Sequence, residues 1–155
     1  VKLLLFTGAR ISELINIKWS DIQEYSDYYE ILIKGKGNKE RKTYLSKNNA
    51  EINITYLESR VKSEYLISTA KGLKCDRKNL FNIVNGLLTK ACVNKQGLHI
   101  FRYTLARNLV EQNYNLSTIK EILGDSNITI TAQFYAKADE NAKRNALIMP
   151  KIKNI

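Results

Sequence analysis

The chain has 155 residues, with 25 Lys and Arg against 15 Asp and Glu, so its net charge is +10. That length allows one domain with a modest core rather than two. The charge suits a polyanionic partner and excludes an acidic solvating tail. With 44% hydrophobic residues, one proline and seven glycines, the composition is neither disordered nor collagenous. Two cysteines, Cys75 and Cys92, are too few for a disulfide scaffold or a four-cysteine zinc site, and they fit a reducing, cytoplasmic compartment. No apolar run approaches the roughly 20 residues of a membrane helix, so no membrane partner is expected.

Val1 to Phe6 is apolar almost without a break and lacks a cap. It reads as the tail of a helix whose first turns are missing, and the expectation is a C-terminal piece of a longer protein. Ser12 to Lys18 has the pattern of a short amphipathic helix, with Leu14, Ile15 and Ile17 inward and Glu13 and Lys18 polar. Tyr28 to Lys34 is rich in aromatic and β-branched residues and predicts a strand. Gly35 to Asn38 makes a turn, and Glu40 to Leu45 returns as a second strand, so the pair is a hairpin with a very basic tip.

Asn49 to Ser63 predicts a helix with Ile52, Tyr56, Leu57 and Val61 inward, and Tyr65 to Ile67 a short third strand. Arg77 to Cys92 predicts a helix whose apolar stripe is Leu80, Ile83, Val84, Leu87 and Leu88. Helices are also expected over His99 to Glu111, Ser117 to Leu123, Ser126 to Phe134 and Asp139 to Ile148. The fold class is therefore mainly α with a small antiparallel β-sheet (α+β). Trp19, Ile22, Tyr29, Ile31 and Ile33 are assigned to the core.

Several chemistries drop out. His99 is the one histidine, so no histidine-rich metal site exists. Gly35 to Asn38 lacks G-x-x-x-x-G-K-[ST] and lies between strands, so it is no Walker loop. The two cysteines read as buried thiols. Asp21, Glu24, Asp27 and Glu30 surround an ordinary turn and strand rather than forming a carboxylate pair.

Four pieces remain. They are Thr7-Gly8-Ala9-Arg10-Ile11-Ser12-Glu13-Leu14 followed by Trp19-Ser20-Asp21-Ile22; Gly35-Lys36-Gly37-Asn38-Lys39-Glu40-Arg41; His99-Ile100-Phe101-Arg102-Tyr103-Thr104; and Leu123-Gly124-Asp125-Ser126-Asn127 followed by Tyr135. Together they describe a phosphodiester site with no metal and no cofactor. Two arginines bracket a phosphate with rigid donor forks. A hairpin lysine reaches a groove beside it, a histidine stands one helical turn before Arg102, and a tyrosine serves as nucleophile.

These motifs, in this order, resemble the catalytic domain of the tyrosine recombinases, the phage integrase and Xer-like group. The resemblance runs from Leu3 to Ile148. It implies the catalytic-domain fold of that family and a DNA strand-cleaving and rejoining enzyme working through a 3′-phosphotyrosyl intermediate. By the same resemblance Arg10 and Arg102 hold the non-bridging oxygens, Lys36 protonates the 5′-oxygen, His99 exchanges a proton near the phosphate, Tyr135 is the nucleophile and Glu13 braces the arginines. Lys34 competes with Lys36 for its role, and Tyr103 is the runner-up nucleophile. Lys34, Lys39, Arg41 and Lys42 are candidate DNA-binding residues. Arg107, Lys120, Lys143 and Arg144 fit either DNA contact or solvated charge.

The pattern is broken once. After Leu123-Gly124 the family usually carries histidine or tryptophan, and here the residue is Asp125. An ionised carboxylate cannot donate to a phosphate. Asp125 then turns outward to brace Arg102 or Lys36, or is protonated, or leaves the enzyme slow or inactive. Tyr103-Thr104 where the family has His-Thr is a milder departure. The implied partners are double-stranded DNA and further copies of the chain assembled on it, with a monomer expected for the fragment alone. An upstream DNA-binding domain is expected to be missing, and residues 138–155 to form a C-terminal helix and tail that exchanges between copies. A DNA-relaxing topoisomerase and a catalytically impaired DNA-binding accessory module are the alternatives.

Overall fold

The computed structural model describes residues 1–35, 37, 39–48, 54, 57, 62–93, 97–124 and 136. Helix α1 (Lys2–Thr7) buries Leu3, Leu4 and Thr7 and ends at Gly8, which is left-handed with φ 59°. A residue without Cβ adopts that conformation at no steric cost. The Thr7 hydroxyl donates to the Leu3 carbonyl at 2.6 Å and accepts the Ala9 amide at 3.1 Å. A fully buried threonine thus holds the turn that leads into Arg10.

Helix α2 (Ile11–Leu14) is a single turn, shorter than the expected run to Lys18. Asn16 donates its side-chain amide back to the Ser12 carbonyl at 2.6 Å. This local bond competes with continuation of the helix. The chain then straightens, and Lys18 pairs with Tyr65 in an isolated antiparallel bridge. Leu14, Ile15 and Ile17 are buried as expected, but so is Glu13, which the sequence placed on the polar side.

A short 3-10 turn at Trp19–Asp21 leads into β1 (Ile22–Glu24), β2 (Tyr28–Lys34) and β3 (Glu40–Ser46). They form one antiparallel sheet in the order β1-β2-β3. Tyr29, Ile31 and Ile33 on β2 and Thr43 and Leu45 on β3 face the core in strict alternation. The third strand is therefore Ile22–Glu24, not Tyr65–Ile67. Three residues are too few to show a period of two in sequence, and tertiary pairing of Ile22 with Ile31 makes the strand.

Helix α3 (Arg77–Lys90) starts at Asp76, whose carboxylate accepts the Lys78 and Asn79 amides at 2.8 and 3.0 Å. Its inward stripe is Val84 and Leu88, with Leu80 partly buried. Ile83 and Leu87, expected in that stripe, are 59% and 48% exposed. The helix packs on the single turn of α2, and so narrow a neighbour covers a narrow face. Cys75 is buried, but Cys92 is exposed beyond the helix end, which corrects the reading of two buried thiols.

Helices α4 (His99–Glu111) and α5 (Leu116–Leu123) follow. Asn115 caps α5 by accepting the Thr118 amide at 2.8 Å, and Gly124 ends it at φ 61°. The core gathers Leu3, Leu4, Leu14, Ile31, Ile33, Leu45, Val84, Leu88 and Phe101, with Trp19 and Ile22 partly buried at its edge. The chain divides into two compact units, Val1–Leu105 and Ala106–Ile155, and this core belongs to the first. In the second, Ala106, Val110, Ile119 and Leu123 are buried.

Of the helix expected over Asn49 to Ser63, Ile54 and Leu57 are helical, Lys62 and Ser63 are not, and the other residues lie outside the described residues, as do the helices expected over Ser126 to Phe134 and Asp139 to Ile148. Among the described residues no helix is long and apolar enough to cross a membrane.

Candidate active site

Glu13 is the hub of the arrangement. Its side chain is only 5% exposed, yet it is met on two sides by cations. One carboxylate oxygen, Oε1, accepts from Arg10 Nη1 at 2.8 Å. The other, Oε2, accepts the Arg10 backbone amide at 2.9 Å and Arg41 Nη2 at 2.9 Å. The position is set locally: Glu13 is three residues past Arg10 at the start of α2, where a carboxylate reaches back to the first backbone amide. Burial alone pushes the Glu13 carboxyl up, but hydrogen bonds from Arg41 and the Arg10 amide, together with the charge of Arg41, outweigh it and hold it below the usual range.

Arg102 lies on the first turn of α4 and is buried, at 5% exposure. Its Nη1 donates to the Gly8 carbonyl at 2.7 Å. Gly8 stands two residues before Arg10 in sequence, so the segments carrying the two arginines meet at one turn. Arg10 keeps 38% of its side chain exposed, enough to meet a ligand while its other edge is tied to Glu13. His99, the first residue of α4, is exposed, and its ring lies 6.2 Å from that of Tyr103 at an interplanar angle of 29°.

The hairpin supplies the remaining described candidates. Lys34 pairs with Asp21 at 2.6 Å and Lys42 with Glu30 across the strands at 2.8 Å. Lys39 is exposed. Arg41 differs from its basic neighbours: its side chain is 12% exposed and turned to Glu13. The sequence singled it out as a phosphate binder and missed this partner. The signal was present, since Arg41 is in phase with the inward Thr43 and Leu45. The Gly8 carbonyl, a backbone group, left no signal at all. Lys36, Asp125 and Tyr135 lie outside the described residues.

Residues 1–142 match the model of the phage integrase family. The chain belongs to the phage integrase family. Among curated members, the tyrosine recombinase XerH of Campylobacter jejuni is 34% identical over 148 residues, 91% of this chain and 41% of that protein. XerC of Staphylococcus epidermidis is 31% identical over 150 residues, 93% of this chain and 50% of that protein. The chain thus spans about half the length of the curated relatives it matches. Among solved structures, XerH in a post-cleavage complex with a palindromic difH substrate superposes with a TM-score of 0.79 at 26% identity, over 95% of this chain and 44% of that one. The XerA recombinase follows at 0.74 and 25%, over 98% of this chain and 57% of that one. This integrase-family chain therefore has the helix-rich fold with a small antiparallel sheet found in tyrosine recombinases.

Proposed function

We propose that this integrase-family chain is the catalytic part of a site-specific DNA recombinase that cleaves and rejoins duplex DNA through a 3′-phosphotyrosyl intermediate. The observation that carries the reading is the joint at Gly8. Buried Arg102 is hydrogen-bonded to the turn that presents Arg10, and Glu13 orients Arg10 from behind. Two guanidinium groups supported from one turn suit the non-bridging oxygens of one phosphate, where negative charge grows as the fifth bond to phosphorus forms.

In the proposed step the Tyr135 hydroxyl oxygen bonds to phosphorus and the bond to the 5′-oxygen breaks. Lys36 gives that oxygen its proton, and His99 takes up the proton that the Tyr135 hydroxyl gives up. Religation reverses the sequence, with a 5′-hydroxyl displacing the tyrosine. The guanidinium charges offset the phosphoryl charge, a task that other enzymes give to a metal ion. The partner of this reading is double-stranded DNA in the cytoplasm. The XerH complex holds a palindromic substrate, and two equivalent half-sites suit two copies of a recombinase, so assembly of this chain on DNA is part of the proposal.

The test is covalent attachment. On a suicide duplex the chain forms an adduct that survives a denaturing gel, whereas Tyr135→Phe forms none and still binds DNA, because only the nucleophilic oxygen is removed. A normal adduct yield from Tyr135→Phe sinks the assignment of the nucleophile. DNA binding by the unsubstituted chain with no adduct at all favours the accessory-module reading.

A further inference from the structure

The Glu13 carboxylate has two guanidinium partners from different elements, and one of them, Arg41, is a residue that the sequence assigned to DNA binding. Arg10 precedes α2, whereas Arg41 lies on β3 opposite Ile33 of β2. Where the hairpin tip begins, Gly35 closes its amide onto the Lys39 carbonyl at 2.7 Å. A Cβ placed on Gly35 would lie 3.6 Å from Glu13 Oε1 and 3.3 Å from the Lys39 carbonyl oxygen. The base of the basic tip thus lies beside the same carboxylate that orients Arg10, with room for little more than a methyl group between them.

We propose that Arg41 is a positioning residue that acts through Glu13, locking the hairpin to the α2 turn so that Arg10 and the base of the hairpin tip, Gly35 and Lys39, keep one geometry beside the phosphate. The proposal rests on the recombinase reading above. Its physical content is charge balance at a buried carboxylate. With both arginines present, Glu13 is ionised and each of its oxygens is occupied by Arg10. Without Arg41, desolvation is opposed by Arg10 alone. Glu13 then takes up a proton more readily, and a protonated carboxyl holds Arg10 less tightly. The groups that face Glu13 are the Arg10 guanidinium and amide from its own turn, the Arg41 guanidinium from β3 and the uncharged Gly35. Lysine in place of Arg41 keeps the charge but loses the planar fork, so it restores the ionisation of Glu13 better than the geometry.

The experiment compares the chain with Arg41→Met and Arg41→Lys in three readouts. The first is the rate of adduct formation at saturating suicide duplex between pH 5 and 9. The second is the salt slope of duplex binding. The third, taken without DNA, is titration of the Glu13 carboxyl carbon by NMR. Arg41→Met is expected to slow adduct formation by about tenfold or more, the scale of one charge-assisted hydrogen bond. It also moves the acid limb of the rate profile and the Glu13 titration to higher pH, while the salt slope stays. Arg41→Lys recovers the titration and part of the rate, and it decides the matter if Arg41→Met does not fold. An unchanged saturated rate with a salt slope smaller by about one unit would make Arg41 a phosphate contact and overturn the proposal. Absence of adducts even from the unsubstituted chain overturns the recombinase reading; the Glu13 titration then still judges the clasp, and an unshifted titration in Arg41→Met defeats it.

Discussion

Glu13 shows how a single carboxylate links stability to the site. A buried charge is tolerated only where partners replace the lost water, and here Arg10 and Arg41 do so. Because Glu13 is held below the ordinary carboxyl range in the folded chain, it contributes stability that is fully present above the unfolded value, about 4.3. That contribution is lost as the pH falls from there through the lower folded value. Glu13→Gln is therefore expected to destabilise the chain at pH 7 by about 3 kcal/mol, since two guanidinium groups lose their counter-charge. The gap between the two proteins should narrow below about pH 4. Urea unfolding midpoints across a pH series measure it, and a gap that stays constant down to pH 3 would contradict the account.

Helix α3 makes the same point for an element. Leucines 87 and 88 are neighbours of identical chemistry, but Leu87 is 48% exposed and Leu88 9%. Leu88 belongs to the core cluster of a helix that packs on α2, so Leu88→Ala leaves a cavity there and should cost about 2–5 kcal/mol. Leu87→Ala should change stability by no more than about 0.5 kcal/mol. Chemical denaturation of the two variants side by side gives the answer, and similar losses from both would mean that α3 is rotated relative to this description. The cap is worth less: the two amides held by Asp76 correspond to about 1 kcal/mol.

The whole chain carries a charge of +10, and its consequence is long-ranged. Lysines and arginines that neutralise phosphates release counterions from the duplex, so affinity must fall steeply with salt. Binding of this chain to duplex DNA is expected to be weak and to drop between about 50 and 200 mM salt along a straight line in logarithmic coordinates. Fluorescence anisotropy with a labelled duplex measures that slope, and a flat line would remove DNA as the partner. Several cations are already engaged within the molecule, Lys34 with Asp21 and Lys42 with Glu30 among them, so the slope should report fewer phosphates than the formal charge suggests.

Much of this chain was legible without coordinates wherever the information is local. The strand over Tyr28–Lys34 follows from its aromatic and β-branched residues, and the helix over His99–Glu111 is likewise the property of one contiguous segment. The four motif segments were legible for the same reason, each being contiguous. Three-dimensional packing settled the rest. It made a strand of Ile22–Glu24 by pairing it with β2 and left Ile83 outside the core. It buried Glu13 and brought Arg41 to it across 28 residues of sequence, and it joined Arg102 to a backbone carbonyl 94 residues away. The alternation of polar and apolar residues tells which way a side chain points but not what it will meet. A buried ion pair or a shared turn exists only once distant segments have excluded water from the space between them.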